Sequence, residues 1–141
     1  MAGKLVGTWK LVSFSAQDPS GQVSYPFGKN AQGRLIYEAD GRMAVQLMNP
    51  DRPRFAASDL LRTSEAEVRA AFDGYAAYYG SYSVDPGQGL MVHHIEAAHL
   101  PNWVGTDQVR HLEFQGNRLI LKGPLERGGQ GEVILVWERL P

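Results

Sequence analysis

Gly7-Thr8-Trp9 and Trp137-Glu138-Arg139 stand near opposite ends of this chain, at the head of the first predicted strand and the tail of the last. A small β-barrel closes when its first strand pairs with its last. That pairing would bring the Trp9 indole against the Arg139 guanidinium. An arginine stacked on an aromatic ring can close a barrel end and contributes about 0.5–2 kcal/mol. The sequence therefore predicts structural roles for Gly7, Trp9, Trp137 and Arg139.

Turn-forming residues divide the chain between these ends into short strands. Sixteen Gly and eight Pro occur at short intervals, a pattern typical of β-proteins. Ser64, with Glu67 three residues later, predicts a capped helix between the third and fourth strands. The eight predicted strands are Leu5–Ser15, Arg34–Ala39, Met43–Asn49, Tyr78–Asp85, Leu90–His99, Thr106–Gln115, Arg118–Gly123 and Val133–Arg139. We therefore predict one all-β domain over residues 1–141, an eight-stranded antiparallel up-and-down barrel. Such a barrel is filled by side chains or holds one small ligand.

The composition excludes several classes of function. Fourteen basic and fifteen acidic residues give a net charge of −1 without a basic stripe, so nucleic acid is not an expected partner. The absence of cysteine excludes disulfides and thiolate metal sites. No phosphate-binding loop, dinucleotide fingerprint or nucleophile elbow occurs, so no cofactor is predicted.

Two features bear on location. No apolar run approaches the ~20 residues that span a bilayer, so no membrane segment is expected. Met1-Ala2-Gly3-Lys4 runs directly into the first strand without an apolar signal region. We therefore predict a cytoplasmic protein.

Alternation along each strand predicts which side chains face the interior, since neighbouring residues point to opposite sides. On the first strand the inward set is Trp9, Leu11 and Ser13. Turn lengths test such choices, because a slip of one residue turns a whole strand over. A four-residue turn at Pro86–Gly89 pairs Tyr82 with His93 on the inward face. A symmetric connection over Leu100–Gly105 would pair His93 with Leu112.

The inward set includes polar side chains, namely Tyr37, Tyr82, His93, Gln108 and Arg110. An unpaired buried cation is unfavourable, and no inward Asp or Glu is predicted opposite Arg110. A carboxylate, phenolate or carbonyl of a ligand would supply a partner, as would ordered water. We therefore predict Tyr37, Tyr82, His93 and Arg110 as ligand contacts. The alternatives are a satisfied core pair of His93 with Tyr82 and an Arg110 that reaches solvent at a barrel end.

Asn102 and Trp103 follow the fifth predicted strand and are predicted at the barrel rim. There they would contact a ligand, with Trp103 gating the mouth. The alternative is a tight corner whose tryptophan caps the core.

A zinc site is one hypothesis for the histidines, because His93, His94, His99 and His111 all lie near one predicted hairpin. However, His93 and His94 point to opposite faces, and His93 and His99 lie about 20 Å apart along a strand. His94, Glu96 and His111 cluster on the predicted outer face, with His94 opposite His111. A polar exposed face explains this cluster more simply than a tetrahedral site, so no metal is predicted.

A family resemblance is carried by eight short stretches: Leu5–Ser13, Gly41–Met43, Val45–Met48, Tyr78–Tyr82, His93–Glu96, Pro101–Thr106, Gln108–Arg110 and Leu135–Arg139. In this order they resemble the lipocalin-like domain family of bacteria and fungi, which is distantly related to the lipocalins. The resemblance covers nearly the whole chain and implies a small barrel with a central cavity. Some similar proteins lie in natural-product pathways and resemble isomerases or cyclases. Lipocalins proper are usually secreted carriers with disulfides, and this chain shows neither feature.

Three functions stay open at this point. The first is binding of a small, largely apolar molecule, aromatic or anionic, in the barrel cavity. The second is a cofactor-independent isomerase or cyclase, with His93 as general base and Tyr82 or Arg110 stabilising an enolate oxygen. The third is a filled barrel that acts as an interaction module, for instance as a homodimer.

Overall fold

The strands form one antiparallel sheet that closes on itself. In the computed structural model, which describes residues 2–124 and 131–141, the strands are β1 (Gly7–Gln17), β2 (Val23–Ser24), β3 (Gln32–Tyr37), β4 (Arg42–Met48), β5 (Tyr75–Asp85), β6 (Leu90–Ala98), β7 (Asp107–Gln115), β8 (Arg118–Pro124) and β9 (Glu132–Arg139). They pair in the order β2-β1-β3-β4-β5-β6-β7-β8-β9, and β1 also pairs with β9. Within these residues, β1 and β3 to β9 form the predicted eight-stranded barrel.

Two α-helices accompany the described part of the barrel. Helix α1 (Ala2–Leu5) precedes β1, and helix α2 (Glu65–Asp73) lies between β4 and β5. These two strands are the third and fourth of the predicted strands. They are numbered β4 and β5 because the structure has an additional two-residue strand, β2, between the first and second predicted strands. The Ser64 hydroxyl and the Glu67 carboxylate each accept a hydrogen bond from the other residue's backbone N–H, which is the predicted capping box. No helix in the described residues is long and apolar enough to cross a membrane.

The turn between β5 and β6 has the predicted register, with Tyr82 paired to His93. The register between β6 and β7 differs from the prediction. His93 pairs with Gln108, and Met91 pairs with Arg110. The predicted pairing of His93 with Leu112 is wrong because the connection is not symmetric. The last residues of β6 extend beyond the start of β7 and pair with β5 alone.

A β-bulge changes the inward set of β1. The pairing of β1 with β9 shifts by one residue between Leu11 and Ser13. One extra residue reverses the alternation that follows it. The prediction that Ser13 faces the interior is therefore wrong. Beyond the bulge, Phe14 lines the interior and Ala16 is buried.

The end of the barrel that carries α1 is filled by side chains. Leu5, Trp9 and Tyr37 are almost completely inaccessible there. The Trp9 indole N–H donates to the Leu5 carbonyl at 2.9 Å, which ties α1 to β1. The other end, beside α2, is less densely filled and contains the candidate site.

Arg139 joins the last strand to the first. It pairs with Trp9 across the β1–β9 seam, and its guanidinium carbon lies 4.3 Å from the centroid of the Trp9 ring. Its side chain also donates to the carbonyl of Val6 at 2.7 Å and to that of Lys4. Gly7 leaves the space for this arrangement, because its φ is +138° and a Cβ there would lie 2.7 Å from Arg139 Nη1. These contacts hold the seam together at the filled end.

Replacing Arg139 with methionine should lower the free energy of unfolding by about 2–3 kcal/mol. The variant loses a cation–π contact of about 0.5–2 kcal/mol and hydrogen bonds from a charged donor. Urea denaturation measures the loss. Arg118→Met removes the same charge at an exposed position on β8 and should change stability by less than about 0.5 kcal/mol. Equal losses in the two variants would contradict a special role of Arg139 at the seam.

Candidate functional site

The open half of the barrel contains a cavity of about 500 Å³. This volume lies within the range of small-molecule sites in proteins, about 300–1,000 Å³. Most of its wall is apolar, including Phe14, Phe27, Val45, Leu47, Leu121 and Leu135. A cavity with such walls suits an apolar ligand.

Aromatic side chains form much of the cavity wall. Phe72, on α2, stacks on His99 with ring centroids 4.0 Å apart. Tyr75 contacts the same histidine edge to face, and Trp103 packs edge to face on Tyr78 with centroids 5.8 Å apart. All five residues line the cavity. Flat aromatic surfaces of this kind favour a planar ligand.

Three of the predicted ligand contacts line the cavity, namely His93, Trp103 and Arg110. Asn102 lies exposed in the short 3₁₀-helix Pro101–Trp103, with its side chain outside the cavity lining.

The other two predicted contacts, Tyr37 and Tyr82, belong to the filled half of the barrel. Their ring centroids lie 4.7 Å apart, and the Tyr82 hydroxyl donates to the Glu38 carbonyl at 2.8 Å. Tyr82 therefore does not line the cavity, although its strand position pairs it with His93. Tyr78, four residues earlier on the same face of β5, does line the cavity. Alternation assigns both tyrosines to the interior and does not distinguish the two ends of the barrel.

His93 lies between two tyrosine hydroxyls at the floor of the cavity. Its Nε2 is 2.6 Å from the Tyr37 hydroxyl and its Nδ1 is 2.7 Å from the Tyr78 hydroxyl. The Tyr37 hydroxyl also lies 3.0 Å from Met91 Sδ. The His93 side chain is thus engaged at both ring nitrogens, and the residue is only 2% exposed.

Burial determines the protonation states of this cluster. It lowers the pKa of His93 to about 3, with smaller contributions from the charge of Arg110 and from His94. Burial also raises the pKa of Tyr37 well above its ordinary value. It raises the pKa of Tyr78 too, against the opposing effect of Arg110. At neutral pH all three side chains are therefore uncharged.

Taken as three hydrogen bonds, the contacts of this cluster predict one direction for each bond. Neutral His93 and the two tyrosine hydroxyls supply three hydrogens for three short contacts. A thioether only accepts, so the Tyr37 hydrogen lies toward Met91. The contact between Tyr37 and His93 then needs the hydrogen on Nε2. The contact at Nδ1 consequently takes the hydrogen of Tyr78.

Arg110 continues this chain on the cavity side. It lies close enough to the Tyr78 hydroxyl to oppose the rise in the pKa of that group, and its Nη1 donates a hydrogen bond to the Val109 carbonyl at 3.0 Å. Arg110 is only 8% exposed, and no ion pair to it occurs among the described residues. Gly123 leaves room for the Arg110 side chain to lie against β8, because a Cβ at position 123 would lie 2.8 Å from Arg110 Cδ. The cavity wall thus holds a buried cation that lacks a carboxylate partner within that part of the chain.

The outer face of the barrel arranges its histidines differently from the prediction. His94 Nδ1 lies 2.8 Å from Asp107 Oδ1, and Nε2 lies 3.0 Å from the Ser83 hydroxyl. His94 is not opposite His111, which pairs with Leu90. The described residues contain no group of three or more His, Cys, Asp or Glu side chains that could hold a metal ion. These side chains lie on the opposite face of the sheet from the cavity.

A closed antiparallel barrel, filled at one end and hollow at the other, defines a small-molecule-binding barrel. The chain belongs to the lipocalin-like domain family, which matches residues 6–140. This confirms the resemblance seen in the sequence motifs.

The chain is similar to several known proteins. The 4'-hydroxy-3'-methoxypropiophenone carrier protein ppsC of Aspergillus oryzae is 30% identical over 108 residues, covering 70% of this chain and 97% of that protein. A lipocalin-like protein from Bacteroides uniformis has a similar fold, with a TM-score of 0.50, 13% identity, and coverage of 98% of this chain and 100% of that one. The match to the wild-type fluorescent protein UnaG has a TM-score of 0.45 and 14% identity, and it covers 99% of this chain and 100% of the UnaG chain.

The buried histidine should make stability depend on pH. Between pH 6.5 and about 3, the unfolded chain binds a proton at His93 that the folded protein does not. The free energy of unfolding should therefore fall as pH falls through this range, by up to about 1.4 kcal/mol per pH unit. Denaturation at several pH values measures the slope. His93→Gln should reduce it, whereas His111→Gln, at an exposed position on β7, should preserve it. An unchanged slope in His93→Gln would contradict the assignment.

The hydrogen count also predicts one tautomer of His93. At neutral pH, ¹⁵N NMR should show a protonated Nε2 and an unprotonated Nδ1, because Tyr78 donates to Nδ1 and Tyr37 accepts from Nε2. Tyr37→Phe removes the hydroxyl that accepts from Nε2 and should weaken the preference for protonation at Nε2. Protonation at Nδ1 in the wild-type protein would overturn the direction of the whole chain.

Proposed function

We propose that this protein binds a small, largely apolar aromatic molecule in the cavity, with an acceptor oxygen of the ligand at Arg110. The observation that carries the proposal is a buried guanidinium without an ion pair in the described chain, set in the wall of an otherwise largely apolar cavity. A buried charge is costly unless it is paired or hydrogen-bonded. An acceptor brought by the ligand would meet that requirement.

The direction of the hydrogen bonds narrows the class of ligand. In the predicted direction, the hydrogen of Tyr78 goes to His93 Nδ1, 2.7 Å away, and this hydroxyl has none to offer a ligand. Arg110 has five N–H donors, and its hydrogen bond to the Val109 carbonyl uses only one of them. The polar part of the floor therefore recognises an acceptor. A ketone, a phenolate or a carboxylate on an aromatic ring would each fit.

The carrier protein of Aspergillus oryzae supports this choice. Its name gives an aromatic ketone with hydroxyl and methoxy groups as its ligand, which combines an apolar ring with acceptor oxygens. We propose a ligand of this general kind and a carrying role for the present chain. The proposal rests on family membership together with the cavity and does not assign the same compound.

The contacts of His93 favour binding over the isomerase or cyclase alternative. A general base needs an accessible lone pair, and both ring nitrogens of His93 are engaged by tyrosine hydroxyls. Tyr82, the other proposed catalytic residue, lies away from the cavity with its hydroxyl on Glu38. The filled-barrel alternative describes only the half of the barrel around Trp9, because the other half is hollow.

Titration with propiophenone, 3-phenylpropanoate and propylbenzene tests the proposal. Trp103 and Trp137 line the cavity, so binding should quench tryptophan fluorescence. We expect one-to-one binding of the ketone and the carboxylate. Arg110→Met should weaken both about 10- to 100-fold, because a hydrogen bond from a charged donor is worth about 1.5–3 kcal/mol. Propylbenzene has no acceptor, and its affinity should not fall in the variant.

Arg34→Met is the matched control, since Arg34 is exposed on β3 and loses the same charge. It should bind all three probes like the wild type. Equal weakening of the ketone and of propylbenzene by Arg110→Met would remove Arg110 from the proposed role. Failure of the wild type to bind any of the three would contradict the proposal for this class of ligand.

A further inference from the structure

Helix α2 lies beside the cavity but is not held there by burial. None of its residues is buried, although Arg69, Phe72 and Asp73 contribute to the cavity wall. Most helices in proteins are stabilised by packing of an apolar face. The position of α2 must therefore depend on specific contacts.

Residues 50–63, which we call the entrance loop, supply several of these contacts. The Ala56 N–H donates to Glu67 Oε2 at 2.7 Å, near the beginning of α2. At the other end, Arg52 Nη1 donates to the Ala71 carbonyl at 3.1 Å. The carbonyls of the last helical turn lack partners within the helix and carry partial negative charge. A guanidinium from the entrance loop thus caps the end of α2, whose own last turn contains no basic residue.

The Arg52 side chain is enclosed by the residues that follow the helix. Its guanidinium carbon lies 5.1 Å from the centroid of the Tyr75 ring, in cation–π range. Its Nε is buried without a hydrogen-bond partner in the described chain. The backbone also brings the two segments together, because the Asn49 N–H donates to the Gly74 carbonyl at 2.8 Å. Arg52 is therefore packed between the helix and a strand of the cavity wall.

Gly74 is a second, independent sign of this arrangement. Glycine at a helix end usually supplies a positive φ, but φ of Gly74 is −100°, which any residue adopts. A Cβ at this position would lie 2.6 Å from Arg52 Cγ and Cδ. The glycine therefore provides room for the arginine stem rather than a special backbone conformation.

We propose that Arg52 is a positioning residue that holds α2, and with it Phe72, at the mouth of the cavity, and thereby sets the rates at which a ligand enters and leaves. This inference rests on the proposed function. A contact that holds the entrance in both the empty and the occupied protein affects both rates by the same factor and leaves affinity nearly unchanged. Loss of an anchor such as Arg110 acts mainly on dissociation.

The test compares Arg52→Met and Gly74→Ala with the matched control Arg54→Met, an exposed arginine of the same loop. Hydrogen exchange reports the hold on α2 without any ligand. We expect amides of residues 65–73 to exchange about tenfold faster in the two test variants, since a charged hydrogen bond is lost. Arg54→Met should match the wild type.

Stopped-flow fluorescence with propiophenone then measures both rate constants. Arg52→Met and Gly74→Ala should raise association and dissociation together by several-fold, with little change in Kd. Unchanged hydrogen exchange in α2 of the two test variants would overturn the inference, and so would faster exchange with unchanged ligand rate constants. In either case, binding of propiophenone by the wild type would leave the proposed function intact. A wild type that does not bind the probe would instead contradict the proposed function and, with it, the claim about ligand rates.

Discussion

The pairing of β1 with β9 is the constraint on which the rest of the molecule depends. Without it the sheet would have two open edges and no interior. The seam is held at one end, where Arg139 lies over Trp9 and bonds to backbone carbonyls before β1. Large side chains fill the barrel at that end. The free volume therefore lies in the opposite half, beside α2.

Between the two halves lies a layer of polar groups that an apolar interior tolerates only when they are paired. The Met91 sulfur can only accept, so the predicted hydrogen-bond directions from Tyr78 through His93 to Tyr37 all run toward it. His93 consequently serves as a neutral connector, and its depressed pKa follows from burial beside a cation. The same direction makes the cavity floor a donor surface. The hydrogen-bond directions within the polar layer therefore also determine that the site selects ligands with an acceptor atom.

The sequence predicted the barrel because strand alternation, turn residues and the two chain ends all indicated the same fold. It did not locate the cavity along the barrel axis. Tyr78 and Tyr82 lie on the same face of β5, about 13 Å apart, and alternation treats them alike. The bulge after Leu11 was also invisible, since Ser13, Phe14 and Ser15 show no clear pattern that an extra residue would break. Contacts such as that of Arg52 with Ala71 join distant segments, and no local pattern encodes them.

Arg110 distinguishes this cavity from a simple packing gap. An apolar void accepts any molecule of suitable shape, and each added methylene changes affinity only modestly. A buried donor without enough acceptors behaves differently, because an analogue that lacks the acceptor leaves the charged group unpaired in a dry site. An analogue without the acceptor therefore binds with the added cost of an unpaired buried charge. The difference in binding free energy between the two ligands then exceeds the free energy that the Arg110 contact contributes to the ligand with the acceptor. A protein of this size can therefore combine broad tolerance for the apolar part of a ligand with strict demand for one oxygen atom.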